Sequence, residues 1–306
     1  MAVLVTGGCG FIGSHIVDQL VEKNVDVVIL DNLSSGSLEN IKAADFPVYV
    51  MDLLDPQIEE IFRYHSIHTI IHQAAQASVP HSIRSPYEDG AVNIGGTIRL
   101  VELAKKYGTK KMIFASSSAV YGTPFFLPIT PDHVANPLSP YGLSKLTAEK
   151  YLQLASLLYE IPYTILRYAN VYGPRQNAAG EGGVIAIFAK AFVHGTAPTI
   201  YGDGHQTRDF IYVEDVARAN LAALENGTGE VLNVSTGVET SINELFERMQ
   251  TIQSSSLKPI YLEERLGDIK RSVLCNEKTK AVLQWTPHIP IEEGLTKTLE
   301  YYQRRK

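Results

Sequence analysis

The stretch Val3-Leu4-Val5-Thr6-Gly7-Gly8-Cys9-Gly10-Phe11-Ile12-Gly13 runs from an apolar tract straight into glycines. Ile16, Leu20 and Val21 follow at helical spacing, and then comes a second apolar tract, Val27-Val28-Ile29-Leu30-Asp31. A short apolar run that ends in glycine, opens an amphipathic helix and is followed by another apolar run is the start of a βαβ unit.

The glycines have distinct physical tasks. Gly8-x-Gly10-x-x-Gly13 matches the dinucleotide fingerprint. One glycine makes the tight turn, the next lets backbone approach a pyrophosphate, and the last lets helix pack on strand. The pyrophosphate is then expected at the positive end of the helix. Asp31 ends the second strand, 18 residues past Gly13, where a carboxylate can accept hydrogen bonds from the adenosine ribose 2′-hydroxyl. It would repel a 2′-phosphate, and the nearest following base is Lys42, so the sequence predicts NAD rather than NADP.

The chain of 306 residues is 45% hydrophobic, enough for a full core in one large domain or two smaller ones. Its net charge of −6, without a block of like charge, argues against nucleic acid as a partner. Two cysteines, Cys9 and Cys275, cannot build a disulfide framework. The first strand starts at once without a basic leader, which predicts a cytoplasmic protein. Residues 112–131 lack a charged side chain, yet Ser116, Ser117, Ser118, Thr123, Pro124 and Pro128 rule out a helix through lipid, so no membrane partner is expected.

Further strands are predicted at Val48–Met51, Thr69–His72, Met112–Ala115 and Tyr163–Leu166, with another at Val231–Val234. Helices are predicted from Asp55-Pro56, along one long amphipathic tract through Val92 and Leu103, over Tyr141–Leu158, from the capping box Ser241-x-x-Glu244, and over Glu292–Tyr302. Strands alternating with helices imply an α/β fold with a doubly wound parallel sheet. Beyond Tyr168 the pattern loosens around Gly173-Pro174, Gly180 and Gly182-Gly183, which predicts a smaller mixed α/β lobe from about residue 171, with segments near 210–235 returning to the first.

Ligands of such sheets bind at the carboxyl ends of the strands. There the sequence places Ser116-Ser117-Ser118, and some twenty residues on Tyr141-Gly-Leu-Ser-Lys145. Tyr and Lys four apart share a helix face. A free phenol ionises near ~10, and a neighbouring ammonium or a positive nicotinamide ring would bring it toward use as a base. Tyr-x-x-x-Lys also occurs at Tyr107/Lys111 and Tyr302/Lys306, but only Tyr141 opens a helix beside serines at a strand end.

Together these motifs resemble the extended short-chain dehydrogenase/reductase superfamily. They are Gly7-x-x-Gly10-x-x-Gly13, Tyr141/Lys145, Ser-Ser-Ser-Ala-Val-Tyr-Gly, Leu166-Arg-Tyr-Ala-Asn170 and Arg208-Asp-Phe-Ile211, and within the superfamily the chain is similar to the UDP-glucose (UDP-galactose) 4-epimerases over essentially its whole length. The resemblance implies a Rossmann-type NAD-binding domain over residues 1–170 and a UDP-sugar-binding lobe over 171–306. It implies Tyr141 as the base, Lys145 as the ribose-holding and activating ammonium, and a serine on the sugar 4-oxygen. Counting back from Val120-Tyr121-Gly122 gives Ser117 for that serine, and counting forward along the triplet gives Ser118. It further implies NAD contacts from Gly7, Gly10, Phe11, Ile12, Gly13, Asp31, Asn32, Ser35, Gly36, Asp52, Leu53, Gln76 and Asn93. UDP-sugar contacts are implied from Ser118, Asn170, Tyr201, Arg208, Arg265 and Asp268. Arg208 and Arg265 suit a diphosphate as guanidinium clamps. Counting back from Trp285 puts Ser272 where the family lines its sugar pocket, leaving room for an acetamido group. Homodimers are the family's habit.

Other readings are weaker. His65, His68 and His72 straddle a helix end and a strand, so no metal site is expected. Cys9 at a helix start could acidify but reads better as a small spacer. Sugar-nucleotide dehydratases and decarboxylases of this fold carry an acid where this chain has Ala119, a UDP-glucuronate 4-epimerase remains an alternative substrate reading, and an NAD-binding sensor would not need Tyr141/Lys145.

Overall fold

The structure, a computed structural model, describes residues 2–41, 46–178, 183–264 and 269–305. The first half of the chain runs β1 (Ala2–Thr6), α1 (Phe11–Glu22), β2 (Val27–Asp31), β3 (Val48–Val50), α2 (Glu59–Tyr64), β4 (Ile67–His72), α3 (Val79–Arg84), α4 (Pro86–Gly90), α5 (Gly96–Tyr107), β5 (Lys111–Ser117), α6 (Pro140–Tyr159) and β6 (Tyr163–Tyr168). The second half runs β7 (Asn170–Tyr172), α7 (Val184–His194), β8 (Thr199–Tyr201), β9 (Thr207–Tyr212), α8 (Val213–Glu225), β10 (Glu230–Val234), β11 (Glu239–Ser241), α9 (Ile242–Ile252), β12 (Ile260–Leu262), α10 (Glu277–Leu283) and α11 (Ile291–Gln303).

Seven strands form one parallel sheet in the order β3-β2-β1-β4-β5-β6-β10. Alternate residues of each strand feed opposite faces. Val3, Val5, Ile29, Ile71 and Ile113 join Ile16 and Leu20 of α1 and Val216 of α8 on one face. Leu4, Leu30, Ile70 and Phe114 join Leu100, Ala148 and Leu152 on the other. Because both faces are covered, the inner strands are apolar without alternation, which made them legible as runs. The strand order reverses between β1 and β4, so the loops leaving those strands diverge and open a crevice at their carboxyl ends.

The long helix expected through Val92 and Leu103 is present from Pro86 to Tyr107, its backbone staying right-handed helical at Gly90, Ala91, Gly95 and Gly96, and it is set off from α3 at Ser85. Ser85 has φ −134° and ψ 64°, outside the helical region, because the ring of Pro86 crowds the residue before it. Residues Ala91–Gly95 then form a π-helical turn before α5. Such turns carry an extra residue and re-aim side chains, here Asn93.

The remaining elements build a three-stranded sheet, β11-β9-β7, and a two-stranded one, β12-β8. Helices α7, α9 and α11 pack around Phe188, Phe192, Phe246, Leu295 and Leu299. The capping box forms as predicted: Ser241 Oγ accepts from Glu244 N–H, and the Glu244 carboxylate accepts from Ser241 N–H. Helix α8 and strand β10 return to the large sheet, and so do Leu274, Leu283 and Trp285, later in the chain than the segments near 210–235. Trp285 Nε1 donates to the Asp215 carbonyl at 3.0 Å. The uncharged run at 112–131 is β5, a 3₁₀ turn at Ser118–Val120 and a loop; no helix among the described residues is long and apolar enough to cross a membrane.

Candidate active site

The glycine loop sits at the start of α1. Gly7 has φ +68°, and a Cβ there would lie 2.8 Å from the Ala74 backbone nitrogen, so the loops after β1 and β4 touch. A Cβ on Gly13 would lie 2.1 Å from the Gly7 carbonyl oxygen. At Gly10 a Cβ would meet only that oxygen, at 3.1 Å, and Gly10 caps α1 without a side-chain hydrogen bond. The backbone N–H groups of Phe11, Ile12 and Gly13 therefore open an uncapped, positively polarised helix end into an open cradle, which suits a pyrophosphate.

Asp31 is buried and braces this loop. Its Oδ2 accepts from Cys9 N–H at 2.9 Å and its Oδ1 from Leu33 N–H at 2.8 Å. Each carboxylate oxygen keeps a second acceptor site. Burial pushes the Cys9 thiol up to about 11, with Asp31 adding to the effect, so this cysteine is a packed, protonated spacer. The chain crosses close by at Gly36, where a Cβ would lie 2.8 Å from the Cys9 carbonyl carbon. Exposed Asn32 donates to Asp52 Oδ2 at 2.8 Å, which ties the end of β2 to the loop after β3; Ser35 is exposed and Leu53 buried. The residues present thus fit a dinucleotide.

At the end of β5 the polar chemistry begins. Ser139 Oγ accepts from Gly142 N–H at 3.1 Å and Pro140 occupies the first turn, so α6 starts sharply. A Cβ on Gly142 would lie 2.5 Å from the Ala119 carbonyl oxygen, and this close approach sets Tyr141 against the serines. The Ser117 hydroxyl accepts from Ala119 N–H at 3.1 Å and lies near enough to the Tyr141 phenol to favour its ionisation. Ser118 starts the 3₁₀ turn beyond. Lys145, one turn along α6, is buried; its Nζ donates to the Ala115 carbonyl at 2.8 Å and lies 4.8 Å from the Phe114 ring centre.

The electrostatics differ from the sequence expectation for Tyr141. Burial raises the phenol above its usual value, Ser117 opposes that, and Asp89 adds to it. Burial also pushes the Lys145 ammonium down to about 8, against the pull of Asp89 and Glu149. Glu149 is engaged elsewhere, accepting from Ser116 Oγ and, in a bidentate pair, from Arg167 at 2.9 and 2.7 Å.

A polar network absent from the sequence reading lies behind this pair. Gln76 N–H donates to Asn93 Oδ1 at 2.9 Å; Asn93 Nδ2 reaches Asp89 Oδ1 at 3.2 Å and Ser144 Oγ at 3.0 Å; Gln76 Nε2 reaches Asp89 Oδ1 at 2.8 Å. Gln76 and Asn93 are expected NAD contacts, whereas Asp89 and Ser144 were missed. The available signal was Asp89-x-x-x-Asn93, a helical spacing of two amide- and acid-bearing side chains.

The expected sugar-nucleotide contacts are more dispersed. Asn170 is exposed at the start of β7, and Tyr201 ends β8. Arg208 on β9 reaches the carbonyls of Thr207 and Ile269. Half-buried Ser272 lies between Arg271, bridged to Thr207, and Val273, whose carbonyl accepts from Ile129 N–H at 2.8 Å. Arg265 and Asp268 lie outside the described residues. The three histidines take separate partners: His65 with Tyr49, His68 with Thr69, and His72 with Thr6 and Thr97.

The sequence matches the NAD dependent epimerase/dehydratase family over residues 3–235. The chain belongs to that family. Among solved members, a UDP-glucose 4-epimerase from Thermotoga maritima, with UDP-glucose, is 44% identical with a TM-score of 0.97, covering 100% of this chain and 99% of that one. A UDP-N-acetylglucosamine 4-epimerase from Methanobrevibacter ruminantium, in complex with UDP-N-acetylmuramic acid, is 39% identical with a TM-score of 0.96 and the same coverage. A UDP-glucose 4-epimerase from Thermus thermophilus, in complex with NAD, is 38% identical with a TM-score of 0.93, covering 99% of each chain. As a family member the chain has the expected Rossmann-type sheet, with the glycine loop at one side of the crevice and Tyr141/Lys145 at the other.

Proposed function

We propose that this epimerase-family chain interconverts the C4 epimers of a UDP-hexose, UDP-glucose and UDP-galactose, and also their N-acetylated counterparts, with NAD held throughout. The observation that carries this reading is the close approach of α6 to the end of β5 at Gly142 and Ala119, which sets Tyr141 beside Ser117, with Lys145 one turn on and the glycine loop nearby. Gly7, Gly10, Phe11, Ile12, Gly13, Asp31, Asn32, Ser35, Gly36, Asp52, Leu53, Gln76, Asn93 and Lys145 would hold the cofactor. When bound, NAD supplies a hydride acceptor and donor at C4 and a positive ring beside the phenol.

Within that frame the side chains have separate tasks. Tyr141 Oη takes the proton of the sugar 4-hydroxyl and later returns it. Ser117 donates to the 4-oxygen as its carbonyl character develops. The Lys145 ammonium holds the nicotinamide ribose and favours the phenolate against the burial that disfavours it. The 4-keto sugar turns its other face before reduction, so the cycle is redox neutral. Asn170, Tyr201, Arg208, Arg265, Asp268 and Ser272 would grip the UDP-sugar in the smaller lobe from about residue 171, Arg208 and Arg265 as diphosphate clamps.

The serine at 272 supports the broader substrate range, since it leaves room where a tyrosine would exclude an acetamido group. A panel of UDP-sugars with product analysis tests the proposal, expecting galacto and gluco forms of both series. Product only from UDP-glucuronate, or none with any UDP-sugar, would overturn it. Ser272→Tyr should suppress only the N-acetyl series. A cytoplasmic homodimer is part of the same reading. Leu143, Tyr151, Leu154 and Leu158 form an exposed stripe along α6 beside exposed Tyr87, a face suited to a second copy. Light scattering of the native protein and of Leu154→Arg checks it, and a monomeric native protein would refute it.

A further inference from the structure

Resting on the reading above, we propose that Asp89 is a positioning residue, the buried counter-charge that holds the Lys145 ammonium protonated and sets the pH range over which Tyr141 works. Asp89 is 1% exposed. Its Oδ1 is fixed by Gln76 and Asn93, but its Oδ2 is enclosed and has no hydrogen-bond partner among the described residues. A carboxylate oxygen buried in this way is costly unless its charge acts on something nearby. One amide nitrogen, Asn93 Nδ2, joins Asp89 to Ser144, the neighbour of Lys145 in sequence. Lys145 has the complementary deficit: among the described residues its buried ammonium contacts the Ala115 carbonyl and the Phe114 ring and no carboxylate.

The other charges around the pair do not substitute for Asp89. Glu149, also on α6, is paired with Arg167 of β6 and bonded by Ser116 of β5, and its pull on Lys145 comes after that of Asp89. His72 of β4 is held neutral by burial between Thr6 and Thr97, pushed down to about 3. Glu88, beside Asp89 on α4, faces His81 of α3 at the exposed surface. Among the described residues Asp89 is therefore the carboxylate near Lys145 that no ion pair offsets, and a single Asn93 amide separates it from Ser144 on α6. The direction of the shifts agrees: Asp89 raises both Lys145 and Tyr141. Removing its charge should acidify both groups.

Asp89→Asn tests this, since it keeps the shape and removes the charge. Lysine side-chain ¹³C NMR of the cofactor-free protein, assigned with Lys145→Arg, is expected to show the Lys145 midpoint falling by about one pH unit, the low end for a nearby opposite charge. In the NAD-loaded enzyme both limbs of the kcat/KM profile should move to lower pH, and Asp89→Glu should restore them. A Lys145 midpoint and pH limbs that stay in place in folded Asp89→Asn would overturn the proposal. If that variant does not fold, the native carboxyl decides: ¹³C NMR showing Asp89 protonated at neutral pH overturns the proposal, and showing it ionised supports it. Native enzyme that turns over no UDP-sugar would instead refute the parent function, leaving the Lys145 titration to decide on Asp89.

Discussion

Asp31 does two jobs that a cofactor-swap experiment would confuse. Selecting NAD calls for its negative charge, but its two oxygens also accept from Cys9 N–H and Leu33 N–H and so brace the glycine loop. Asp31→Ala leaves a buried donor at Cys9 and a half-buried one at Leu33. Hydrogen bonds to charged groups contribute ~1.5 to 3 kcal/mol each, and water can recover part of the loss at Leu33, so the expected cost is about 2 to 4 kcal/mol. For a chain of this length that is a fall in Tm of about 3 to 6 °C. Calorimetry on cofactor-free protein reads the structural cost, and nucleotide released on denaturation reads the binding cost. Asp31→Ala with Asn32→Arg should admit NADP yet keep the lowered Tm. An unchanged Tm in cofactor-free Asp31→Ala would refute the bracing role, and NADP found in unmodified protein would refute the selectivity.

Tyr141→Phe should lower turnover by at least ~100-fold while NAD stays bound, because the base is lost and the ring is kept; near-normal turnover in folded protein would remove Tyr141 from the mechanism. Ser117→Ala should cost more turnover than Ser118→Ala, and the reverse order in steady-state assays would shift the 4-oxygen contact to Ser118. Arg167→Leu leaves Glu149 buried and unpaired, so urea unfolding should show a loss of ~3 to 5 kcal/mol, most of it recovered when Glu149→Leu is added. His72 is depressed to about 3, first by burial and then by Lys145, so between that value and the ordinary 6.5 the unfolded chain binds the extra proton. Its stabilisation is present above that window and is lost as pH falls through it, at up to ~1.4 kcal/mol per pH unit, and a stability profile that His72→Gln leaves unflattened would refute this.

Much of the fold was legible because its signals are local. The inner strands are covered on both faces, so β1, β2 and β4 to β6 read as apolar runs, and the glycine fingerprint lies within a few residues of chain. The helix through Val92 and Leu103 was legible from its apolar spacing, but its π-helical turn at Ala91–Gly95 was not, because that turn follows from packing. Tyr141 and Lys145 were visible as a pair, but the rise of the phenol was not, since enclosure of its hydroxyl is set by tertiary structure rather than by spacing. Asp89 stayed hidden for the same reason. Its partners come from the loop after β4 and its own helical tract, and its relevance from α6, more than fifty residues away.

The two carboxylates near Lys145 separate stability from chemistry. Glu149 sits four residues beyond Lys145 on the same helix, and sequence spacing alone would make it the natural partner of that ammonium. The structure gives its oxygens to Arg167 and Ser116 instead, so its charge is largely offset where it lies. Asp89 is held by neutral amides, which orient a carboxylate without cancelling its charge. Replacing both Glu149 and Arg167 by leucine should therefore leave the activity profile nearly in place along the pH axis, whereas Arg167→Leu alone costs stability and uncovers a second carboxylate near Lys145. Loss of the Asp89 charge should move that profile with a smaller effect on unfolding, because each site has its own set of hydrogen-bond partners and neither set includes the other.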